Sequence, residues 1–194
     1  MSAVNTLNPM SNKSIDTDLL ARIGQFYFKE ARLLDERCFQ QWFMLVDESI
    51  EYSMPTRFVP MPDPEQQDTE AFLSVERELE RADGGKGAPL RQDSYLHTFA
   101  RTIRAFKTNA WAESPAPRTR RFISNIEVEP LADNQYRVYS NFQMFYSHRG
   151  TDNHTYTGGR RDVLKEVDGD FRICKREVIT DWDVITVPTL ALIF

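Results

Sequence analysis

The most strongly patterned part of the chain is residues 19–57, which read LLARIGQFYFKEARLLDERCFQQWFMLVDESIEYSMPTR. In the first half of this stretch, apolar side chains recur every three or four residues, as they do on the buried face of an amphipathic helix. The residues on this stripe are Leu19, Leu20, Ile23, Phe26, Tyr27, Ala31 and Leu34. The spacing predicts a long helix with one side turned toward a core.

The second half of the same stretch predicts a break, a short helix and a strand. Asp35 stands where a side-chain oxygen usually caps a helix N-terminus. The helix that it would cap carries the apolar residues Phe39, Trp42, Phe43 and Val46. A strand is expected next, because polar residues separate Ile50, Tyr52 and Met54. Two helices and a half-buried strand need a sheet to cover their apolar sides.

Length and charge limit what the protein can be. The 194 residues suit one domain, expected over residues 15–194, and residues 1–14 are expected to form a disordered leader because they are rich in Ser, Asn and Pro. Asp and Glu number 29 against 24 Lys and Arg, a net charge of -5. Nucleic acids and anionic membranes are bound by basic surfaces, so neither is expected as a partner.

No segment predicts export or membrane insertion. Apolar runs stay below the roughly 20 residues that a membrane-spanning helix needs, and MSAVNTLNPMSNKS lacks the charge and apolar core of a secretory signal. Cys38 and Cys174 are the only cysteines, and no spacing motif pairs them. Two free thiols are typical of a reducing compartment, so we expect a cytoplasmic location and no disulfide.

Residues 58–92 depart from the regular pattern. Pro60, Pro62 and Pro64 exclude a helix or a central strand at the beginning of this segment, and the charged run VERELERAD follows. A short helix is predicted over Glu70–Arg81, within what is otherwise a long loop excursion. Long excursions are more often functional or part of an interface than idle, so a place between subunits is expected for this one.

The second half of the chain predicts one more helix and then a sheet. The helix begins at Asp93 or Ser94 and has one apolar face, formed by Leu96, Phe99, Ala100, Ile103 and Phe106. From Arg118 the period becomes two, and turns at Asp133–Asn134 and Asp168–Gly169 separate long strands. Four long antiparallel strands preceded by helices predict an α+β meander, bent into a cone with helices packed on one face.

Two details of these strands are specific expectations. In the first long strand, one parity of side chains is expected to share a face, namely Phe122, Ser124, Ile126 and Val128. In the third, Gly158–Gly159 predicts a bulge or a bend, because glycine in a strand interior marks irregular or strongly curved backbone.

Five runs of sequence occur in an order that is typical of one protein family. They are QFYFKEARLLDERCFQQWFMLVDESIEYSMPTR, WAESPAPRTRRFISNIEV, the SNF of residues 140–142, GGRRDVLK at residues 158–165, and the closing VITVPTLALIF. Together they resemble the small (β) subunit of bacterial aromatic-ring-hydroxylating dioxygenases. The resemblance extends from about residue 18 to residue 194 and is weakest over residues 58–91. Its specificity lies in the order and spacing of the runs, since none is diagnostic alone.

The resemblance implies a fold, a partner and a reaction. The fold is the cystatin-like cone shared with nuclear transport factor 2 (NTF2-like) and scytalone dehydratase. The partner is a large (α) subunit that carries a Rieske 2Fe–2S cluster and a mononuclear Fe(II), in an assembly of three large and three small subunits. The assembly converts an arene and O2 to a cis-dihydrodiol, with electrons from NAD(P)H through a reductase and a ferredoxin. The small subunit of such enzymes has a structural role and holds no metal.

The residues of this chain predict no metal or catalytic site. A Rieske centre needs paired Cys and His ligands, and a mononuclear iron needs two His and a carboxylate that converge. His97 lies on the third helix, whereas His148 and His154 flank a turn and are expected to be solvated there. Phosphate-loop and nucleophile-elbow motifs are missing. We therefore expect no catalytic, cofactor-binding or metal-binding residue here.

Two other functions are compatible with a cone: a stand-alone dehydratase or isomerase, and a non-enzymatic binding module. Some cone enzymes use an Asp and a His in an internal pocket. Asp35 is available for such a site, together with the tyrosines Tyr27, Tyr52 and Tyr139. A helix cap accounts for Asp35 and core positions account for the tyrosines. With 13 Phe, 7 Tyr and 3 Trp, the cone is expected to be filled rather than hollow.

The tail and a set of arginines predict a subunit interface. Residues 184–194 are apolar up to Phe194, and apolar side chains left in water forfeit roughly 1.5–3 kcal/mol each. The tail is therefore expected to dock, either as an edge strand of its own sheet or against a neighbouring subunit. Arginine forks suit carboxylates at interfaces. The expected interface residues are Arg118, Arg120, Arg160, Arg161, Trp182, Leu190, Leu192 and Phe194.

Overall fold

The structure, a computed structural model, describes residues 16–61, 64–65, 70–81, 87–107, 109, 114–150 and 152–194. The expected leader at residues 1–14 lies outside the described residues. Three α-helices occur in the described part, namely α1 (Thr17–Asp35), α2 (Phe39–Phe43) and α3 (Tyr95–Arg104). The strands there are β1 (Val46–Met54), β2 (Thr56–Arg57), β3 (Leu79–Glu80), β4 (Arg91–Asp93), β5 (Arg118–Pro130), β6 (Gln135–His148), β7 (Asp152–Val167) and β8 (Asp170–Thr180).

Six of these strands form one large sheet in the order β4-β1-β8-β7-β6-β5, and β2 pairs with β3 in a small second sheet. The predicted meander of four long antiparallel strands, β5 to β8, is confirmed. Its turns have the positive φ angles expected of Asp-Asn and Asp-Gly pairs, 58° and 55° at Asp133 and Asn134 and 52° and 82° at Asp168 and Gly169. Strand β1 lies outside this meander, and its pairing with β8 is parallel rather than antiparallel.

The core lies between α1 and the inner face of the sheet, as the apolar stripe predicts. Ile23 and Tyr27 are fully buried, and Phe26 and Leu34 nearly so. The Asp16 side chain accepts a hydrogen bond from the Asp18 backbone N–H at 2.9 Å and caps the beginning of α1. On β1 the alternation is also confirmed, since the residues predicted to face inward are buried: Ile50, Tyr52 and Met54.

The prediction that Asp35 caps the second helix is wrong. Asp35 is the last residue of α1, and its carboxylate accepts hydrogen bonds from the Arg121 backbone N–H at 2.8 Å and the Thr119 hydroxyl at 2.9 Å. It also forms a buried ion pair with the Arg121 side chain. Cys38 precedes α2 without a side-chain cap, and Val46 begins β1 rather than extending the helix.

Helix α3 has the predicted apolar face, but that face points outward. Leu96 is 73% exposed and Phe106 is 60% exposed, whereas the buried residues of the helix are Thr98 and Thr102. The periodicity therefore predicted the helix and its apolar face correctly, and the structure places that face outside the core. Small hydroxyl side chains face inward here, whereas Phe99 and Phe106 pack partly against Phe43 and Phe39 of α2 and remain partly exposed.

Two strand irregularities change which side chains face the core. In β5 the pairing with β6 shifts between Ser124 and Glu127, at Asn125 with its φ of 52°. The expectation that one parity of this strand shares a face is therefore wrong, because Phe122 is exposed and Val128 is buried. In β8 the shift occurs opposite Val163 and Leu164, where Cys174 is the extra residue between their partners.

The excursion at residues 58–92 folds back onto the outer side of the sheet where it is described. The predicted helix over Glu70–Arg81 is instead two 3-10 turns, Glu70–Leu73 and Val75–Glu78, followed by β3. The Arg81–Glu177 ion pair at 2.5 Å connects it to β8 of the large sheet, and the Arg57–Glu78 pair at 2.6 Å connects it to β2. Its charged run thus holds the excursion in place rather than forming a continuous helix.

Gly158 gives a prediction about strand packing. Pairing on both sides of β7 passes through Gly158 and Gly159 without a shift, so the glycines do not mark a bulge. A Cβ on Gly158 would lie 2.2 Å from the Ile179 carbonyl oxygen, whereas one on Gly159 would have no neighbour nearer than 3.8 Å. We expect Gly158→Ala to lower the free energy of unfolding by about 1–3 kcal/mol, measured by urea denaturation, because the backbone must move.

Gly159→Ala is the matched control for this substitution. It makes the same chemical change at the adjacent strand position, and we expect a change smaller than about 1 kcal/mol. Equal losses for the two variants would show that the close approach of β8 does not explain the glycine at position 158.

Candidate functional site inside the cone

Four charged side chains meet in the interior of the cone. Glu30 comes from α1, Arg160 and Asp162 from β7, and Arg176 from β8, and each is at most 2% exposed. Arg176 bridges the two carboxylates, with Nη1 2.6 Å from a Glu30 oxygen and Nη2 2.7 Å from an Asp162 oxygen. Arg160 lies 3.3 Å from the other Glu30 oxygen. Two positive and two negative charges therefore balance without water.

Neutral donors complete this ion cluster. The Tyr27 hydroxyl donates to Asp162 at 2.8 Å, and the Trp42 indole N–H donates to Glu30 at 3.0 Å. Arg160 donates from Nε to the Ser140 hydroxyl at 3.2 Å, and its guanidinium lies 4.8 Å from the centre of the Tyr27 ring. The cluster is thus a hydrogen-bonded network, which a low-dielectric interior requires of buried charges.

The sequence interpretation missed this cluster, although one signal was present. Glu30 occupies a position of the α1 stripe, three residues after Tyr27 and four before Leu34, where an apolar residue is expected. The sequence pattern around Arg176 contained no comparable indication that this residue is buried. Strict alternation from Phe171 and Ile173 would point Lys175 inward, and the extra residue at Cys174 directs Arg176 inward instead.

The charges fix the protonation of the groups around them. Burial opposes the ionisation of Glu30, but Arg176 and Arg160 outweigh it and hold the pKa at about 2. Burial and the neighbouring Asp162 raise the pKa of Tyr27 well above its usual value. Neither group therefore gains or loses a proton near neutral pH, as a general acid or base in a cone enzyme would have to do.

The low pKa of Glu30 predicts sensitivity to acid. The carboxylate titrates near 4.5 in the unfolded chain and near 2 in the folded one, so its contribution of about 3 kcal/mol is present above pH 5 and is lost as the pH falls toward 2. Urea unfolding at a series of pH values should show this slope. The slope should become shallower in Glu30→Gln and stay unchanged in Glu129→Gln, which alters an exposed glutamate. Identical slopes in the two variants would contradict the assignment.

The residues considered for an independent active site are engaged in bonds within the chain or lie on its outer side. Asp35 is engaged by Arg121 and Thr119, as described above. Tyr52 accepts a hydrogen bond at its hydroxyl from the Phe194 backbone N–H at 3.1 Å, and Tyr139 borders a groove on the outer side of the sheet. The structure therefore assembles no site from Asp35 and the three tyrosines.

The histidines are also separate from this cluster. The expectation that His148 is solvated is wrong: it is 5% exposed, and its Nε2 is 2.8 Å from the Pro115 carbonyl oxygen. His97 lies at the beginning of α3, in contact with Ser94. Within the described residues, no group of three or more His, Cys, Asp or Glu side chains has the arrangement of a metal site. Cys38 and Cys174 are both free thiols.

The tail docks onto its own domain without forming a strand. Residues 181–194 contain no helix or strand, so the edge-strand alternative is wrong. Three arginines donate to three successive backbone oxygens instead: Arg91 to Leu192 at 2.8 Å, Arg121 to Ile193 at 2.7 Å and Arg176 to Phe194 at 3.0 Å. Ile193 and Phe194 are buried in the core.

The expected interface residues fall into three groups. Arg160 and Phe194 are buried inside the chain, so each has almost no surface to offer a partner. Arg161 is half-buried in ion pairs with Glu76 and Glu177. The remaining residues keep exposed or partly exposed surface, and they are Arg118, Arg120, Trp182, Leu190 and Leu192.

The outer face of the sheet carries two exposed aromatic side chains. Phe122 on β5 is 58% exposed and Phe145 on β6 is 45% exposed. Arg120 is the direct register partner of Phe145, and Arg118 follows two residues away on the same side of β5. A depression of about 360 Å³ adjoins Phe122. Aromatic side chains next to arginines are typical of the centre of a protein interface.

A larger groove of about 990 Å³ lies on the outer side of the sheet beneath the excursion. Its charged side chains are neutralised within the chain, so it is not built to take an anionic ligand. The pairs are Arg81–Glu177, Arg161–Glu76, Lys175–Glu51 and Arg137–Glu129. Among the helices of the described residues, none has the length and apolar character needed to cross a membrane.

Comparisons with known proteins agree with this architecture. The beta subunit of biphenyl 2,3-dioxygenase from Rhodococcus jostii (strain RHA1) is 30% identical over 184 residues, covering 93% of this chain and 91% of that protein. The beta subunit of benzene 1,2-dioxygenase from Pseudomonas putida is 28% identical over 180 residues, covering 91% and 89%.

A solved structure shows the same fold. Naphthalene 1,2-dioxygenase with indole bound in its active site contains a chain that superposes with a TM-score of 0.76 at 18% identity, covering 93% of this chain and 88% of that one. The predicted α+β cone is thereby confirmed. A family model described as "Ring hydroxylating beta subunit" matches residues 29–187, which include the C-terminal end of α1 and every strand of the large sheet. This chain therefore belongs to the family of ring-hydroxylating dioxygenase beta subunits.

Proposed function

We propose that this chain is the scaffold subunit of the terminal oxygenase of an aromatic-ring-hydroxylating dioxygenase. The observation that carries the proposal is the match of one family model to residues 29–187, together with relatives named as beta subunits of biphenyl and benzene dioxygenases. Its partner is a large subunit, and the assembled enzyme converts an arene to a cis-dihydrodiol. The identity of the arene is a property of the large subunit.

The proposed assembly contains three large and three small subunits and works in the cytoplasm. The Rieske cluster and the mononuclear Fe(II) belong to the large subunit, and electrons arrive from NAD(P)H through a reductase and a ferredoxin. The described residues of this chain fit neither metal centre, because their histidines and cysteines do not cluster and their buried carboxylates are paired with arginines. The contribution proposed for this chain is shape and contact surface.

The interior explains how a small subunit provides a firm scaffold. Glu30, Arg160, Asp162 and Arg176 tie α1 to β7 and β8, and the tail joins β4, β5 and β8 through its backbone oxygens. Both sets of bonds connect parts of the chain that are distant in sequence. A partner subunit thus meets a surface whose shape is fixed before it docks.

The proposed contact surface for other subunits includes the outer face of β5 and β6. Phe122 and Phe145 supply apolar anchors there, and Arg118 and Arg120 supply the polar border. Trp182, Leu190, Leu192 and Arg161 are assigned to the surrounding contact area. We include the described part of the excursion, because Val59, Met61 and Leu73 are exposed beside charged residues, and the outward face of α3.

Phe145 allows a direct test of this surface. We expect Phe145→Glu to weaken association with the coexpressed large subunit roughly tenfold or more, because the substitution removes an apolar anchor and puts a charge that must lose its water in its place. Size-exclusion chromatography with light scattering measures the assembled fraction, and circular dichroism checks that the chain is folded. Phe28→Glu is the control, since Phe28 is 51% exposed on α1 rather than on the sheet. Normal assembly of Phe145→Glu would remove this face from the interface.

The proposed function itself is tested by mild affinity purification of the tagged chain from its native host. A brown eluate with iron and a second, larger polypeptide is the expected result, and loss of arene hydroxylation by that host upon deletion of this chain would agree with it. A colourless, iron-free homo-oligomer would overturn the proposal and favour a stand-alone cone enzyme or a binding module.

A further inference from the structure

The tail is held by contacts of the kind that bind a peptide to a receptor. Arg91, Arg121 and Arg176 lie on three different strands, β4, β5 and β8, and each donates to one of three successive backbone oxygens at residues 192–194. No strand ladder includes residues 181–194. The backbone of the tail is thus bound by arginine side chains, rather than by the hydrogen bonds of a strand within the sheet.

An aromatic pocket receives the side chain of Phe194. Its ring centre lies 5.6 Å from that of Phe142 and 5.4 Å from that of Tyr156, and the side chain is 2% exposed. The Phe194 backbone N–H donates to the Tyr52 hydroxyl at 3.1 Å. The site therefore combines one deep aromatic pocket with a row of donors for the backbone that leads into it.

The three arginines do not depend on the tail for their position. Arg91 pairs with Asp93 and its guanidinium lies 4.1 Å from the centre of the Tyr52 ring. Arg121 pairs with Asp35, and Arg176 pairs with Glu30 and Asp162. Because each guanidinium has a carboxylate partner elsewhere in the domain, the row of donors is preformed.

The site also has donor capacity that the tail does not use. Arg91 Nη2 and Arg121 Nε are buried and have no hydrogen-bond partner in the described structure. Buried N–H groups of this kind are rare, and they favour an additional acceptor at the same place. The segment that leads to the tail is exposed from Asp183 to Thr186, so the tail is attached to the domain through a loosely packed connection.

We propose that the part of the cone interior lined by Arg91, Arg121 and Arg176 is a preformed binding site for a short apolar peptide with an aromatic residue at its third position, and that residues 192–194 occupy it in cis. The ligand is recognised through three backbone oxygens and one aromatic side chain. A peptide of the same chemistry supplied in trans therefore competes with the tail. This proposal is independent of the proposed oxygenase function.

The test uses the full chain with a protease recognition sequence inserted between Asp183 and Thr186, cut after folding. The released segment is expected to remain bound to the domain and to exchange saturably with a fluorescent synthetic peptide of residues 187–194. A peptide with Ala in place of Phe194 should bind at least tenfold more weakly. Arg91→Met and Arg121→Met in the domain should each accelerate release about tenfold or more, because each removes a charged donor. Arg137→Met, on the outer side of the sheet, is the matched control and should leave release unchanged.

Three results would contradict the proposal. If the cut segment leaves at once and the domain keeps its circular dichroism spectrum and thermal transition, the site has no affinity for the peptide. If the domain unfolds when the segment is cut, the tail is an inseparable part of the core rather than the occupant of a site. Exchange of the labelled peptide that is insensitive to the arginine substitutions would also contradict the recognition mode.

Discussion

Arg176→Met is expected to lower the free energy of unfolding by about 3–5 kcal/mol, which is enough to unfold a typical domain partially at 37 °C. The substitution keeps most of the side-chain volume but removes the charge that lies between Glu30 and Asp162. Arg160 alone then faces two buried carboxylates, and the Phe194 oxygen loses a donor. Urea denaturation followed by circular dichroism measures the loss.

Lys175→Met is the control for Arg176→Met. It removes a positive charge from the adjacent residue of β8, where Lys175 and its partner Glu51 are both more than half exposed. We expect a change smaller than about 0.5 kcal/mol, because exposed ion pairs contribute little. Comparable losses in the two variants would show that methionine anywhere in this part of β8 has the same effect. The buried ion network would then not be what stabilises the cone.

Phe194→Ala is expected to cost about 3–5 kcal/mol, because it empties a buried aromatic position at the centre of the core. The Phe194 ring packs in tilted geometry against the rings of Phe142 and Tyr156, and the substitution would leave a cavity beside them. The tail would retain its three backbone contacts with arginines, so the melting temperature should fall without loss of the folded state.

Phe122→Ala is the matched control for this position. The same side-chain atoms are removed from an exposed site on β5, and the free energy of unfolding should change by less than about 0.5 kcal/mol. If Phe194→Ala is as mild as Phe122→Ala, the tail contributes little to the isolated subunit and its apolar residues serve another subunit instead.

The features that the sequence predicted correctly are those that depend on neighbours in the chain. The stripe of α1, the alternation of β1 and the tight turns at Asp133–Asn134 and Asp168–Gly169 all follow from the repeat of helix or strand and from residues that accept positive φ. The resemblance in the ordered runs then indicated the family, which the comparisons confirm.

The contacts inside the cone could not be predicted from neighbours in the chain. A single extra residue at Cys174 reverses which face of the sheet each later side chain of β8 points to. Another extra residue near Asn125 has the same effect in β5. Periodicity gives the repeat but not the place where the repeat slips. For this reason the alternation of the sequence does not predict the pairing of Arg176 with Glu30, and it places Phe122 on the same face as Val128.

Local pattern determined which segments of this protein are helices and strands, because hydrogen bonding and side-chain alternation operate over a few residues. The tertiary structure alone decided that the apolar face of α3 points outward, that Asp35 binds Arg121 rather than a helix end, and that the tail is held by arginines of three strands. Each of these outcomes depends on groups that are distant in sequence, whose burial and charge can be balanced only after the sheet has curved and brought them together.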